Sequence, residues 1–290
     1  MNRLEAAFER GRPLIMGILN VTPDSFSDSR AHASAEAAVA HGLAMVDEGA
    51  DLIDVGGEST RPGSDPVAAA EQIARVVPVI RQLRAGLPDV IAVSVDTTRA
   101  EVAAAALDAG ADFINDVSAG RDDPAMFALA AARRVPLVLM HMQGTPKTMQ
   151  DDPRYEAVVD EVLAFLRERC EQAQAAGIPT ERLILDPGIG FGKRRDDNLE
   201  LMASLHRFTA TGYRVLLGAS RKRFMGSVCG ETRPQQLVAA TVATTALGVL
   251  AGVDIFRVHD VRENRQAADV AHAIRRAGRG GAVGSTGPKR

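Results

Sequence analysis

The sequence repeats one two-part unit eight times along almost its whole length. In each unit, a short apolar or β-branched run of strand-like length precedes a longer stretch rich in Ala and Leu. This alternation predicts a parallel sheet, and near-continuous apolar strands predict burial on both of its faces. The predicted strands are residues 14–19, 52–55, 91–95, 113–114, 136–140, 183–185, 214–217 and 255–258. The predicted helices are residues 33–48, 67–83, 99–109, 124–133, 155–176, 198–208, 234–250 and 261–276.

Two architectures have this alternation: a closed barrel and an open doubly wound sheet. The position of the polar residues discriminates between them. A barrel places functional residues after most strands, whereas an open sheet concentrates them at one switch point. Here polar residues end or follow nearly every predicted strand: Asn20, Glu58, Asp96, Asn115, His141, Asp186, Ser220, and Arg257 with His259. The sequence therefore predicts an α/β fold with a single TIM (β/α)8 barrel domain.

The barrel accounts for most of the 290 residues. We expect an N-terminal extension at residues 1–12, the barrel at 13–277 and a flexible, Gly-rich C-terminal tail at 278–290. The formal net charge of −3 removes the usual electrostatic argument for a nucleic-acid partner. The N-terminus lacks the apolar core of a signal peptide, and two cysteines are too few for a disulfide framework. We therefore expect a cytoplasmic protein.

One segment approaches the length of a membrane span. Residues 235–253 carry no charge over 19 positions. The segment contains Gln, Thr and Gly between its apolar residues, together with many Ala. Small and polar residues of this kind favour a buried or subunit-contact helix over a membrane span. We expect no membrane partner.

Two loops and two later segments suggest ligand contacts. The first loop, at residues 20–28, is long and polar and carries Phe26, which is typical of a lid. The second, at residues 56–64, has three glycines that permit close backbone approach, and Arg61 is a donor for carboxylate or phosphate. Residues 218–222 and 257–259 follow the last two strands, where barrels commonly bind phosphate, and they supply the cations Lys222, Arg257 and His259.

Asp96, Asn115 and Asp186 each lie at a strand end. Each could be a helix N-cap. Their convergence on one barrel mouth favours ligand binding instead, and two carboxylates with an amide suit a heterocycle that presents N–H donors beside ring acceptors.

The run D-P-G-I-G-F-G-K, at residues 186–193, matches neither the Walker A nor the dinucleotide template. Its glycines instead predict a tight wall around a planar ligand, with Phe191 as a stacking or packing face. The scattered His and the two Cys exclude a structural zinc site, whereas Mg²⁺ held mainly by substrate phosphates would leave little trace in a sequence.

Eight segments together resemble the bacterial dihydropteroate synthase family. They are GILNVTPDSFSD, DVGGESTRPGS, SVDTTR, INDVSAG, MHMQGTP, LDPGIGFGK, GASRKRF and FRVHDV, and they occur in order between residues 17 and 261. The family often carries two glycines after the first-loop Asp, where this sequence has Ser29 and Arg30. The resemblance implies a pterin-binding TIM barrel that acts in folate biosynthesis, needs Mg²⁺, is a homodimer and is a target of sulfonamides. It implies a transferase that joins 4-aminobenzoate to (7,8-dihydropterin-6-yl)methyl diphosphate.

The resemblance also implies roles for particular residues. The implied pterin site is Asp96, Asn115, Asp186 and Lys222. The implied diphosphate site is Asn20, Arg257 and His259, with Asn20 also reaching the metal. The implied 4-aminobenzoate site is Phe26, Thr60, Arg61, Pro62, Phe191, Ser220 and Arg221. The implied catalytic set is Asn20, Thr60, Arg61, Lys222, Arg257 and His259.

Two other functions are compatible with a pterin-binding barrel. One is a methyltransferase that moves a methyl group from a reduced folate to a corrinoid, and the other is a homologue without activity. Three residues suited to binding an anionic leaving group argue against the first function: Asn20, Arg257 and His259. The intact catalytic set argues against the second.

Overall fold

Eight parallel strands form a closed barrel in the computed structural model, which describes residues 2–21, 31–59 and 63–280. Each strand pairs with the next along the chain, and the eighth pairs with the first, with Met16 opposite Arg257. This closed ring confirms the barrel and excludes the open sheet. The strands are β1 (Leu14–Asn20), β2 (Leu52–Gly56), β3 (Ala92–Asp96), β4 (Phe113–Asp116), β5 (Leu137–Met140), β6 (Leu183–Asp186), β7 (Arg214–Leu217) and β8 (Ile255–Val258).

Helix α1 precedes β1, and the other described helices follow the strands on the outside of the barrel. They are α1 (Arg3–Phe8), α2 (Ala31–Asp47), α3 (Ala69–Gly86), α4 (Ala100–Asp108), α5 (Ala125–Arg133), α6 (Val158–Ala175), α7 (Arg195–Ala203), α8 (Leu205–Thr209), α9 (Arg223–Cys229), α10 (Val238–Ala251) and α11 (Val261–Gly280). The strands agree with the predicted ones within one or two residues at each end, and every predicted helix is present.

Four helix predictions need correction. The helix predicted at 198–208 is two helices, because the backbone of Ser204 leaves the helical region with φ −106° and ψ 14°. The helix predicted at 155–176 begins only at Val158, and the one predicted at 234–250 begins at Val238 after a short 3₁₀ turn. Helix α11 continues to Gly280, so residues 278–280 of the predicted tail are helical. The short helices α1 and α9 were not predicted.

The core has two layers, which explains why the strands are apolar on both faces. Along β1, Ile15 and Leu19 face the surrounding helices. Leu14 and Met16 face the barrel interior, where they meet Phe113 of β4. The alternation follows from the two-residue period of a strand, whose successive side chains point to opposite faces.

Helix α1 closes the N-terminal end of the barrel. Asn2 begins it with a capping box, in which its side chain accepts the Leu4 N–H and its own N–H donates to Glu5. Leu4 and Ala7 pack into the barrel interior, and Arg3 pairs with Asp112 at 3.1 Å. The N-terminal extension therefore covers one end of the barrel and leaves the other end for a site.

A buried carboxylate, Asp51, strengthens the same end. It accepts hydrogen bonds from Arg10 and Arg12, each at 2.7 Å, and from Arg265 at 3.2 Å. These bonds connect the N-terminal extension and helix α11 to the start of β2.

Helix α10 occupies most of the uncharged segment 235–253. One face is buried, with Thr245 donating to Asn264 of α11 at 2.6 Å and Gly248 against the ring of Phe256. Leu247 and Leu250 lie on the opposite, exposed face. Within the described ranges, no helix has the length and apolar character needed to cross a membrane.

Candidate active site

The polar residues at the strand ends converge on the C-terminal mouth of the barrel. Asn20, Gly56, Asp96 and Asn115 are paired in register across four adjacent strands, so they lie at one level of the barrel. Gly56 has no side chain between its polar neighbours. A Cβ there would lie 3.5 Å from both Asn20 Oδ1 and the Cβ of Asp96. Asp186 ends β6 on the opposite side of the mouth, opposite Met140 of β5.

Arg257 extends from β8 into the barrel and contacts two carboxylates. Its Nε donates to Asp54 Oδ2 at 2.6 Å, and its Nη2 donates to Asp96 Oδ2 at 2.7 Å. Asp54 also accepts from Ser94 Oγ at 2.6 Å and from Asn115 Nδ2 at 3.1 Å. The charges of the two carboxylates raise the pKa of Arg257, although burial opposes this shift. The guanidinium is therefore a fixed cation inside the mouth.

One carboxylate oxygen of Asp96 lacks a hydrogen-bond partner in the described part of the chain. Its Oδ1 is buried and has no hydrogen-bond partner among the described residues. Burial raises the pKa of Asp96 to about 7; the charge of Arg257 opposes this shift and that of Asp54 adds to it. A buried acceptor without a donor is costly, and a ligand N–H would relieve that cost.

Asp186 has a similar environment on the other side of the mouth. Its Oδ1 accepts the backbone N–H of Gly188 at 2.7 Å, which fixes the orientation of the carboxylate. Burial raises the pKa of Asp186 to about 6, while the Gly188 N–H and the charge of Lys222 oppose the shift. Two buried carboxylates therefore face one mouth.

The glycine-rich run after β6 folds tightly against the loop after β5. Gly188 has φ +69°, and a Cβ there would overlap the carbonyl oxygen of His141. Lys193 is buried and donates to Gly188 O at 2.9 Å, Phe191 O at 3.0 Å and His141 Nδ1 at 2.9 Å. Burial lowers the pKa of Lys193 to about 7 and that of His141 to about 2. The Lys193 amino group therefore binds carbonyl groups of its own loop. This agrees with the sequence, in which residues 186–193 do not match the Walker A template of a phosphate-binding loop.

Phe191 and a group of methionines make an apolar wall beside these charges. Phe191 packs with four buried residues, Val117, Met140, Met142 and Met149. The Nζ of Lys222 lies 3.9 Å from the centre of the Phe191 ring, a cation–π contact. The wall gives a planar ligand an apolar surface next to the polar strand ends.

Ser220, Arg221 and His259 connect the loops after β7 and β8. Ser220 Oγ lies 3.0 Å from His259 Nδ1 and accepts the His259 N–H at 3.2 Å. Arg221 has φ +56°, and its guanidinium donates two hydrogen bonds to Asp260, at 3.0 and 2.5 Å. The Arg221 guanidinium, which we predicted to border 4-aminobenzoate, is therefore already paired with the carboxylate of Asp260.

The pterin binding enzyme family model matches residues 16–259. The chain belongs to this family, among its dihydropteroate synthases. The dihydropteroate synthase of Bacillus subtilis is 43% identical, over 91% of this chain and 89% of the relative. A structure of the Xanthomonas albilineans dihydropteroate synthase with 4-aminobenzoic acid is 49% identical, with a TM-score of 0.85, and covers 91% of this chain and 93% of that one. A Yersinia pestis dihydropteroate synthase in a sulfonamide drug complex is 41% identical, with a TM-score of 0.86, over 92% and 95% of the two chains.

As a dihydropteroate synthase, the chain is a transferase of an alkyl group other than methyl. Most of the site residues predicted for this synthase lie at the mouth of the barrel. Four of them fall outside the described residues: Phe26, Thr60, Arg61 and Pro62. Their roles stay predictions.

Sequence reasoning missed three residues that contact the predicted site residues or their loops: Asp54, Lys193 and Met140. Asp54 had a detectable signal, because it is a charged residue within the apolar strand L-I-D-V-G. Arg257 likewise lies within an apolar strand, I-F-R-V, so the two residues could have been paired. Lys193 and Met140 had no comparable signal, because their positions depend on how two loops fold together.

Proposed function

We propose that this chain catalyses the dihydropteroate synthase reaction with the residues at the mouth of its barrel. The enzyme joins 4-aminobenzoate to (7,8-dihydropterin-6-yl)methyl diphosphate and forms 7,8-dihydropteroate and diphosphate for folate synthesis. The observation that carries this assignment is the buried pair Asp96 and Asp186, because Asp96 has an oxygen without a partner among the described residues. The names of the relatives support the same activity.

In this proposal, Asp96, Asn115, Asp186 and Lys222 bind the pterin ring. Ionised carboxylates accept hydrogen bonds from ring N–H groups, and such charge-assisted bonds are stronger than neutral ones. Asn115 donates its Nδ2 to Asp54, so its Oδ1 is directed elsewhere as an acceptor. Phe191 and its methionine neighbours pack on the flat ring.

The cations of the last two strands act on the diphosphate. Arg257 and His259 lie at the end of β8, and Lys222 lies after β7. The reaction breaks the bond between the methylene carbon and a diphosphate oxygen, and the electron pair leaves with the diphosphate. Cationic donors near that oxygen stabilise the charge that develops there.

The amine of 4-aminobenzoate forms the new bond to the methylene carbon and loses a proton to water or to the departing diphosphate. An aniline nitrogen is already nucleophilic, so the reaction needs no strong base. Catalysis then depends on the position of the two substrates and on the electrostatics of the leaving group. The proposed roles of Phe26, Thr60, Arg61, Pro62, Phe191, Ser220 and Arg221 are to hold 4-aminobenzoate and to close the site.

Mg²⁺ fits the donor set of this mouth as a metal held mainly by substrate. Within the described ranges, no group of three or more His, Cys, Asp or Glu side chains is arranged to hold a metal. Asn20 offers an amide oxygen, a donor type that Mg²⁺ accepts, beside the open position at Gly56. Mg²⁺ is often bound by one or two protein oxygens plus substrate phosphates. Bound in this way, it would offset the negative charge of the diphosphate as that group leaves.

The activity assay supplies purified enzyme with both substrates and Mg²⁺ and measures 7,8-dihydropteroate and diphosphate in equal amounts. Chelation of Mg²⁺ with EDTA should abolish turnover, and added Mg²⁺ should restore it. Methyl transfer from a reduced folate to a corrinoid, or pterin binding without turnover, would support one of the two alternatives and overturn the assignment.

We also propose a homodimer through the exposed faces of helices α10 and α11. Leu247 and Leu250 are 58% and 51% exposed, and Val270 and Ile274 of the adjacent α11 are each 61% exposed. Contiguous exposed apolar residues favour a protein contact. Light scattering should give twice the monomer mass for the wild type and the monomer mass for Leu250→Glu. The control is Val90→Glu, at a residue with 58% exposure in the connection between α3 and β3, and it should stay dimeric.

The cytoplasmic location is a further proposal. The described cysteines, Cys170 and Cys229, are both free thiols, which suits a reducing compartment. Cell fractionation of the source organism tests the location directly.

A further inference from the structure

We propose that Asp54, a carboxylate inside the barrel below the mouth, is a positioning residue that holds the guanidinium of Arg257 in place for the pterin diphosphate. This inference rests on the proposed role of Arg257 in binding that substrate. Asp54 is not among the site residues that we predicted from the sequence.

Both carboxylate oxygens of Asp54 accept hydrogen bonds from protein side chains. Asp54 is 0% exposed. Its Oδ1 accepts from Ser94 Oγ at 2.6 Å, and its Oδ2 accepts from Arg257 Nε at 2.6 Å and from Asn115 Nδ2 at 3.1 Å. Asp96 differs, because one of its oxygens has no partner among the described residues. Asp54 therefore acts through its neighbours, whereas Asp96 is placed to touch the ligand.

The arrangement of the two carboxylates explains why the negative charge of Asp54 matters. Arg257 contacts Asp54 through Nε and Asp96 through Nη2, so its plane is fixed at two points. Without the charge of Asp54, Asp96 would be the remaining carboxylate partner of the guanidinium. Arg257 would then turn toward Asp96 and cover an oxygen that the pterin needs.

Asp54 also fixes the amide of Asn115. An amide presents either its oxygen or its NH₂ to a given neighbour, and the hydrogen-bond partners decide which. Because Asp54 accepts from Asn115 Nδ2, the Asn115 oxygen is directed elsewhere. An amide at position 54 could itself donate, which would allow the Asn115 side chain to flip.

The test is the variant Asp54→Asn, which keeps the shape of the side chain and removes its charge. We expect the kcat/KM for pterin diphosphate to fall at least 10-fold, while the KM for 4-aminobenzoate at saturating pterin diphosphate changes less than 2-fold. A merely structural role would affect the two substrates alike or affect only the melting temperature. Unchanged kcat/KM for pterin diphosphate in active, folded Asp54→Asn overturns the proposal.

Two control variants separate the charge from the packing. Ser94→Ala removes one hydrogen bond to Asp54 but keeps the carboxylate, and it should change kcat/KM less than 3-fold. Asp51→Asn removes a buried carboxylate that pairs with Arg10, Arg12 and Arg265 at the opposite end of the barrel. It should lower the melting temperature and leave the kinetics of both substrates unchanged.

A second pair of variants covers the case in which Asp54→Asn fails to fold. Arg257→Gln is compared with the double variant that also carries Asp54→Asn. Both lack the arginine, so neither leaves Arg257 beside a neutral residue at position 54. Calorimetric titration with pterin diphosphate and Mg²⁺, without 4-aminobenzoate, measures binding alone. The same Kd for the single and the double variant supports action through Arg257. Further weakening that persists when Asn115→Ala is added to both variants, so that Asp54 can act through neither neighbour, overturns it. An inactive wild type that still binds would contradict the proposed function and leave this comparison intact.

Discussion

Asp186→Asn should separate pterin binding from stability. Asp186 Oδ1 accepts the Gly188 N–H at 2.7 Å, and an Asn at this position can keep that contact with its own oxygen. Its NH₂ group would then replace the carboxylate oxygen that faces the ligand. A donor would meet the N–H donors of the pterin ring.

The magnitude follows from two contributions. A lost charge-assisted hydrogen bond costs about 1.5–3 kcal/mol, and buried donors without acceptors cost about 1–3 kcal/mol more. Together they give about 2.5–6 kcal/mol, which is roughly a 70- to 25,000-fold increase in Kd. The variant also removes a buried charge whose pKa is raised to about 6 by burial, so its free energy of unfolding should not fall.

Calorimetric titration with pterin diphosphate and chemical denaturation measure the two properties. The control is Asp112→Asn, at a buried carboxylate that pairs with Arg3 and Arg84 at the opposite end of the barrel. It should lose about 3 kcal/mol of stability and keep the wild-type Kd. An unchanged Kd in Asp186→Asn refutes the assignment. A Kd that rises only together with a stability loss like that of Asp112→Asn also refutes it.

Three further predictions concern pH, the glycine loop and inhibition. Because burial raises the pKa of Asp186 to about 6 from 3.8, the native state binds the proton more tightly than the unfolded state. The contribution of Asp186 to stability should therefore decrease as the pH rises from about 4 to 6, and denaturation of the wild type and Asp186→Asn across this range should differ accordingly. Affinity for pterin diphosphate should rise over the same interval, because binding needs the ionised form. Gly188→Ala combines φ +69° with overlap of the His141 carbonyl and should cost roughly 2–4 kcal/mol. Gly212→Ala, with φ +87° and open space around the Cβ position, should cost about 1 kcal/mol. Sulfonamides should inhibit competitively with 4-aminobenzoate, and a purely noncompetitive pattern in steady-state kinetics would contradict the proposed site.

The strand ends were predictable because each strand carries its own local signal. Asp96 and Asp186 follow short apolar runs, and parallel strands place their carboxyl ends at one mouth. The closed ring was inferred from the number of units and the distribution of polar residues, and the pairing of β8 with β1 confirmed it.

Helix boundaries were less predictable because they depend on single backbone conformations. Ser204 divides a stretch whose apolar pattern is continuous, and the capping box at Asn2 makes a six-residue helix that has no clear periodicity. Cap geometry and tertiary packing decide such ends, and hydrophobic periodicity does not report them.

The sequence by itself therefore determined the barrel, the mouth at which the strand-end residues Asn20, Asp96 and Asn115 lie, and the family to which the chain belongs. Only the tertiary structure decided the partners of the charged side chains. It placed Arg257 between Asp54 and Asp96, 203 and 161 residues apart in the chain, and it directed Lys193 into its own loop. Hydrophobic periodicity follows from local backbone geometry, so it can be recognised from residues that are close together in the sequence. A salt bridge across a barrel depends on which side chains meet inside it, and that is fixed only when the ring closes.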